Sequence, residues 1–187
     1  MMTTEADSLP ARALSIRQPW AWAILHAGKD VENRGARAVT LGAMTTGPVA
    51  VHASKGMTRD EYEGAARFMA SLGAVCPPPD DLVRGAIVGA VHVTAIVEEW
   101  ASPWFFGPRG LVLLAPTALA TPIPVGGELG FFDWRKNVGQ PWSATAIAEP
   151  KPWMRAWPGP RRRSEAAVPA EPPPPAALPL FGDGDAA

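Results

Sequence analysis

The chain has 187 residues with 17 Lys and Arg against 18 Asp and Glu, a net charge of −1. That length fits one domain, alone or with a tail, and the near-neutral balance speaks against a strong nonspecific duplex binder, which carries a basic excess. A single cysteine, Cys76, excludes an internal disulfide and fits a reducing compartment, and no unbroken apolar run reaches the roughly 18 residues that cross a membrane.

The N-terminus, MMTTEADSLP, is polar and acidic, unlike a secretory signal. A cytoplasmic location follows, with residues 1–11 as a flexible lead. Residues 12–16 read as a short strand, which Gln18-Pro19 interrupts, because proline lacks an N–H and biases its predecessor toward extended geometry. Residues 20–27 are an apolar helix rich in tryptophan, with Gly28 placed as its C′ residue. Residues 30–34 turn extended, and residues 48–53 form an apolar strand with His52 near its end.

Thr58 stands three residues before Glu61, the capping-box spacing, and starts a helix that Gly73 stops. Tyr62, Ala65, Ala66 and Met69 are its core-facing positions. Residues 85–97 are the strongest strand signal, too long to run flat, and Gly89 marks a bulge or bend. An aromatic, glycine- and proline-rich loop over residues 100–110 precedes a strand at 111–114. Residues 121–130 carry turn chemistry around Gly126-Gly127, residues 129–134 are short and aromatic, and residues 142–148 are expected to close the sheet. The pattern predicts a mainly β domain with flanking helices over residues 12–149, its sheet closed or strongly curved into a barrel. A doubly wound α/β fold would need alternating helices that are absent.

Charge concentrates after the first helix. Glu32 and Arg34, two apart, share a face if extended, and Lys29 reaches the same mouth. Two cations around a carboxylate can grip an anionic or carbonyl-bearing ligand while the carboxylate accepts from an amino group or serves as a base. The competing reading is a surface ion-pair cluster. Just upstream, Ser15 and Arg17 share a face, Gln18 can bond a base edge and Trp20 can stack on a base or pack as a lid. His52, Ser54 and Lys55 form a second group, in which His52 is either an acid or base near neutral pH or a structural histidine. The three histidines, His26, His52 and His92, lack ligand spacing, so no metal and no cofactor is expected. A phosphate loop, a dinucleotide fingerprint and a serine nucleophile elbow are all missing from the sequence.

The run LSIRQPWAWAILHAGKDVENR at 14–34 resembles the opening of an ASCH domain, the activating-signal-cointegrator homology domain of the PUA-like superfamily. That family's core pattern is Gly-x-Lys-x-x-Glu. Here Ala27-Gly28-Lys29 leads to Glu32, so the lysine-to-glutamate spacing is kept and the glycine falls one place closer. VHASK at 51–55, GAIVGAVHV at 85–93, SPWFFGP at 102–108 and IPVGGELGFF at 123–132 extend the resemblance across about residues 12–148. The resemblance implies a PUA-like β-barrel with a cleft for RNA or a modified nucleoside beside Lys29, Glu32 and Arg34, and it leaves catalysis open. Similar small bacterial proteins hydrolyse N4-acetylcytidine with a lysine, a threonine three residues later and a distant glutamate. Lys29 matches that lysine, and Glu32 stands where the threonine would be. If the chain is an enzyme, Lys29 and Glu32 are the implied catalytic pair, acting on an acetylcytidine-like amide or on RNA.

Residues 150–187 read as a proline-rich, disordered tail. Arg161-Arg162-Arg163 is a basic cluster that can meet phosphate. Leu178, Leu180 and Phe181 form an isolated LPLF segment suited to docking on a protein partner. The segment is similar to the end of bacterial sliding-clamp-binding peptides, without their glutamine.

Overall fold

The computed structural model describes residues 5–143 and 145–159. In chain order they form α1 (Glu5–Ser8), β1 (Arg12–Ile16), α2 (Trp20–His26), β2 (Val31–Arg34), α3 (Ala36–Leu41), β3 (Gly47–Ala53), α4 (Arg59–Ser71), β4 (Ala86–Val97), β5 (Arg109–Pro124), β6 (Phe131–Asp133), a 3-10 turn (Trp134–Asn137) and α5 (Pro152–Arg155). The strands make one six-stranded sheet in the order β2-β5-β4-β3-β1-β6. Its neighbours are antiparallel except β1 and β3, which run parallel. The sheet is open and strongly curled, a half-barrel with helices against it. This is the curved, mainly β architecture expected, without closure.

Alternation along the strands explains the two packed faces. Leu14 and Ile16 of β1 and Val49 and Val51 of β3 join Val91, Val93, Leu111 and Leu113 in the main core, which α2 covers with Ala21 and Ile24. The opposite face of β1 and β3 buries Ala13 and Ala50 with Phe132, Trp134 and Val125. The bulge expected at Gly89 is present: the β3–β4 register skips between Ile87 and Gly89. A Cβ at residue 89 would run into the Thr117 carbonyl and Leu25, so glycine permits the close approach of β5 and α2.

Helix termini follow the sequence signals. The Thr58 hydroxyl accepts from the Glu61 N–H at 3.2 Å, and the Glu61 carboxylate accepts from the Thr58 N–H at 2.9 Å. Gly28 and Gly73 follow α2 and α4 with φ of +69° and +80°, the left-handed geometry in which L-residues are strained.

Two strand expectations are corrected. The strand expected at 111–114 is β5 and runs on to Pro124, through residues assigned to a turn. The described residues between 142 and 148 form no strand, and the edge beside β1 is β6. The packed body also reaches beyond residue 149: Met154 of α5 is fully buried with Met57, Tyr62 and Leu82, and Trp153 and Trp157 pack on Tyr62. At the other end residues 6–9 are pinned, because Arg135 donates to the carbonyls of Ala6, Asp7 and Leu9. The triple arginine and the LPLF segment lie outside the described residues. Among those described, no helix is long and apolar enough to cross a membrane.

Met154→Ala tests the extended boundary. Truncating a fully buried methionine is expected to lower the unfolding free energy by about 2–5 kcal/mol, measured by urea denaturation. A loss below about 0.5 kcal/mol, typical of a surface site, would return the boundary to residue 149.

Candidate functional site

A cleft of about 480 Å³ opens beyond the C-terminal ends of β1 and β3. The parallel pair delivers Ser15, Arg17, Ser54 and Gly56; α2 contributes Trp20; β2 contributes Glu32, Asn33 and Arg34; and Leu129 stands on the rim, almost wholly exposed. The curl brings these elements together. Strand β2 is one edge of the sheet and β1 lies next to the other, yet the Arg34 guanidinium donates to the Ser15 carbonyl at 2.7 Å.

Glu32 is the electrostatic centre. One carboxylate oxygen lies 3.0 Å from Arg34 Nη2 and the other 3.3 Å from Lys29 Nζ. Lys29 itself is enclosed, only 3% exposed, and its ammonium also donates to the Val31 carbonyl. Burial pulls its pKa below the ordinary lysine value, and neighbouring Glu32 opposes that shift. Lys29 therefore sits behind the wall, bracing Glu32, and does not line the cleft. Arg34 is four-fifths buried, and its Nε has no hydrogen-bond partner among the described residues.

Gln18 does not reach the cleft. Its amide donates to the Val83 carbonyl at 2.9 Å and accepts from the Trp22 N–H at 3.0 Å, so both ends are committed to holding the start of α2. Trp20 is half-buried, edge-on to Phe68, with the Lys29 ammonium 6.0 Å from its ring. Arg17 is exposed and paired with Glu61 of α4. Lys55 points away and donates to the Thr145 carbonyl at 3.1 Å.

His52 is fully buried but touches the site. In the parallel ladder Ser15 is the register partner of His52, and Ser15 Oγ lies 3.0 Å from His52 Nδ1. The other ring nitrogen, Nε2, lies 3.0 Å from the Val125 carbonyl. A carbonyl only accepts, so Nε2 carries the hydrogen; in the neutral ring Nδ1 then accepts, and the Ser15 hydroxyl donates to it. Phe132 meets the ring edge-on, and the Gly127 backbone lies so close that a Cβ there would strike both His52 and Ser15 Oγ. Reading single residues missed this pair because 37 positions separate its members; the signal available was Gly126-Gly127, whose lack of side chains makes the close packing possible.

Burial holds the His52 pKa below its ordinary 6.5, the Val125 carbonyl opposing and Lys55 adding to the shift. Below pH 6.5 the unfolded chain therefore takes up a proton that the folded chain refuses. Stability present above that pH is lost as pH falls from 6.5 toward the folded value. His52→Gln is expected to flatten this acid slope, read as urea midpoints between about pH 7.5 and 5. A slope identical to the parent's would assign the acid sensitivity elsewhere, for instance to His26, whose pKa burial also lowers.

Cys76 offers no competing nucleophile, because burial pushes its thiol up to about 12. A smaller cavity of about 160 Å³ lies behind α2, lined by Trp22, Leu25 and His26 among others. It holds none of the convergent charge of the larger cleft. Compared with protein-family models and with curated proteins, the chain matches none.

Proposed function

We propose that the cleft beside Glu32 binds a nucleotide, free or as part of RNA, and that the chain is an ASCH-like, cytoplasmic binding domain. The observation that carries this reading is the Glu32 carboxylate braced between Lys29 and Arg34 in a cleft that Trp20 also lines. The cleft volume of about 480 Å³ suits a single nucleoside. Each Glu32 oxygen keeps a lone pair for an amino or imino N–H, Trp20 offers an aromatic surface, and Arg17 and Arg34 offer donors to phosphate or carbonyl oxygens. Lys29 and Glu32 share the work unequally: the lysine orients and the carboxylate contacts. The near-neutral chain favours a short, local contact over a long backbone track.

A filter-binding titration at low salt against structured RNA, single-stranded RNA and modified nucleosides tests this. Saturable binding is expected, weakened in Trp20→Leu by roughly 5- to 150-fold, the equivalent of about 1–3 kcal/mol of base stacking. No saturable binding to any of the three ligands would sink the proposal.

A second reading, hydrolysis of an amide on a modified nucleoside or of RNA, draws support from the hydrogen bond between buried His52 and Ser15, which lines the same cleft. It assigns proton handling to Glu32 and keeps Lys29 as its brace.

A further inference from the structure

We infer that Ser15 is a nucleophile with His52 as its general base, so that the cleft hydrolyses a short-chain carboxylic amide or ester. This inference rests on the hydrolytic reading of the cleft, and it moves the bond-forming chemistry from Lys29 and Glu32 to the opposite wall.

The geometry has the parts such chemistry requires. A nucleophile needs a base within hydrogen-bond reach and a third group that fixes the base. Ser15 lines the cleft, with its Oγ 3.0 Å from His52 Nδ1. The Val125 carbonyl, 3.0 Å from Nε2, sets the tautomer and leaves Nδ1 free to accept the serine proton. Phe132 and the Gly127 backbone hold the ring against rotation. A histidine needed only to fill the core would not require a hydroxyl partner on a residue that also lines a cleft. On the other side of Ser15, Arg34 contacts its carbonyl at 2.7 Å and lines the same cleft. That cation is the available stabiliser for a developing oxyanion.

The steps balance without a co-reactant other than water. Ser15 Oγ forms a bond to the acyl carbon while its proton passes to His52 Nδ1, and the carbonyl oxygen takes up the negative charge. The tetrahedral adduct collapses, the C–N or C–O bond to the leaving group breaks, and Nδ1 returns the proton to the departing nitrogen or oxygen. The acyl-serine then accepts water, whose proton goes to Nδ1 and on to Ser15 Oγ as the acid leaves. The net reaction is amide or ester plus water giving carboxylic acid plus amine or alcohol. General-base assistance of this kind contributes about 10²–10⁴-fold.

The test incubates the full chain with p-nitrophenyl acetate and, separately, with N4-acetylcytidine. Turnover is followed together with intact-protein and peptide mass spectrometry, and a fluorophosphonate serves as an independent serine label. The expected result is an acetyl group and a fluorophosphonate adduct on the Ser15 peptide. Turnover should fall at least about 100-fold in Ser15→Ala and in His52→Gln. Thermal melts check folding, and Ser15→Ala, which removes one oxygen, covers the case in which His52→Gln fails to fold. Turnover of either compound at the parent rate by folded Ser15→Ala overturns the inference; if that compound is N4-acetylcytidine, hydrolysis at the cleft stands with another nucleophile. Neither turnover nor Ser15 labelling overturns both. Labelling of Ser15 with ester but not acetylcytidine turnover supports the nucleophile and removes the nucleoside amide as its substrate.

Discussion

Glu32→Ala is expected to cost about 3–5 kcal/mol of unfolding free energy, a buried-pair effect and not a surface one. Ion pairs on an open surface contribute little, because water screens them and long side chains must be ordered. Here the Lys29 ammonium is almost fully enclosed, and Glu32 is its only carboxylate within 4 Å among the described residues. Removing Glu32 leaves that charge buried beside Arg34, with only the weaker pull of Asp30 opposing. Lys29→Met should cost less, since Glu32 keeps Arg34 at 3.0 Å while the Val31 carbonyl and one Glu32 oxygen lose a donor. Adding Lys29→Met to Glu32→Ala should recover part of the loss, giving a double-mutant coupling of about 1–3 kcal/mol. The pH dependence supplies a second check. Without Glu32 the folded Lys29 pKa drops further, while the unfolded lysine keeps its ordinary 10.5. Between those values the unfolded state binds more protons, so stability rises with pH. The deficit of Glu32→Ala relative to the parent should therefore narrow as pH rises toward 10.5. A deficit below about 1 kcal/mol at every pH would return the cluster to the ordinary surface class.

What could be read in the sequence was local. The Thr58–Glu61 box, the glycines after α2 and α4 and the bend near Gly89 each depend on a few adjacent residues. Strand β5 was hidden because Pro116, Pro122 and Pro124 break its pattern, and Ala115 bends it with φ of +50°. Such residues read as turn chemistry until a partner strand tolerates them. Charge proximity was legible for Glu32 and Arg34 by alternation. The enclosure of Lys29 was not, because it depends on how the chain folds back after Gly28. The Ser15–His52 contact was the least accessible, since a parallel register between β1 and β3 leaves no mark in either segment. The amide of Gln18 shows the converse. Its chemistry suits a base edge, but the orphan N–H of Trp22 and the Val83 carbonyl claim it first.

Arg84→Met is expected to destabilise the fold by about 2–4 kcal/mol and, unlike Met154→Ala, to disturb the cleft as well. Arg84 is 2% exposed, and the partners of its terminal nitrogens are backbone carbonyls. Nη1 donates to Lys55 at 2.8 Å, and Nη2 donates to Glu149 at 2.9 Å and to Ala148 at 3.3 Å. Burial lowers its pKa from the ordinary arginine value, the mark of a charge held away from water without a carboxylate. Methionine fills similar space but leaves these carbonyls without their donor, each loss costing about 1–3 kcal/mol where water cannot replace it. Glu149 is exposed, so its carbonyl regains water and the lower part of that sum applies. The link to function is the Lys55 carbonyl. It lies between Ser54 and Gly56, both of which line the cleft, so Arg84 ties the cleft floor to the segment leading into α5. Arg84→Lys should recover only part of the stability, because one ammonium cannot reproduce a planar fork across both segments. Urea denaturation measures the first effect. The second is read from saturable nucleotide binding well below the unfolding transition, where Arg84→Met should bind more weakly than a Met154→Ala protein of similar stability. Equal affinity in the two variants would confine Arg84 to holding the C-terminal segment, with no part in shaping the cleft.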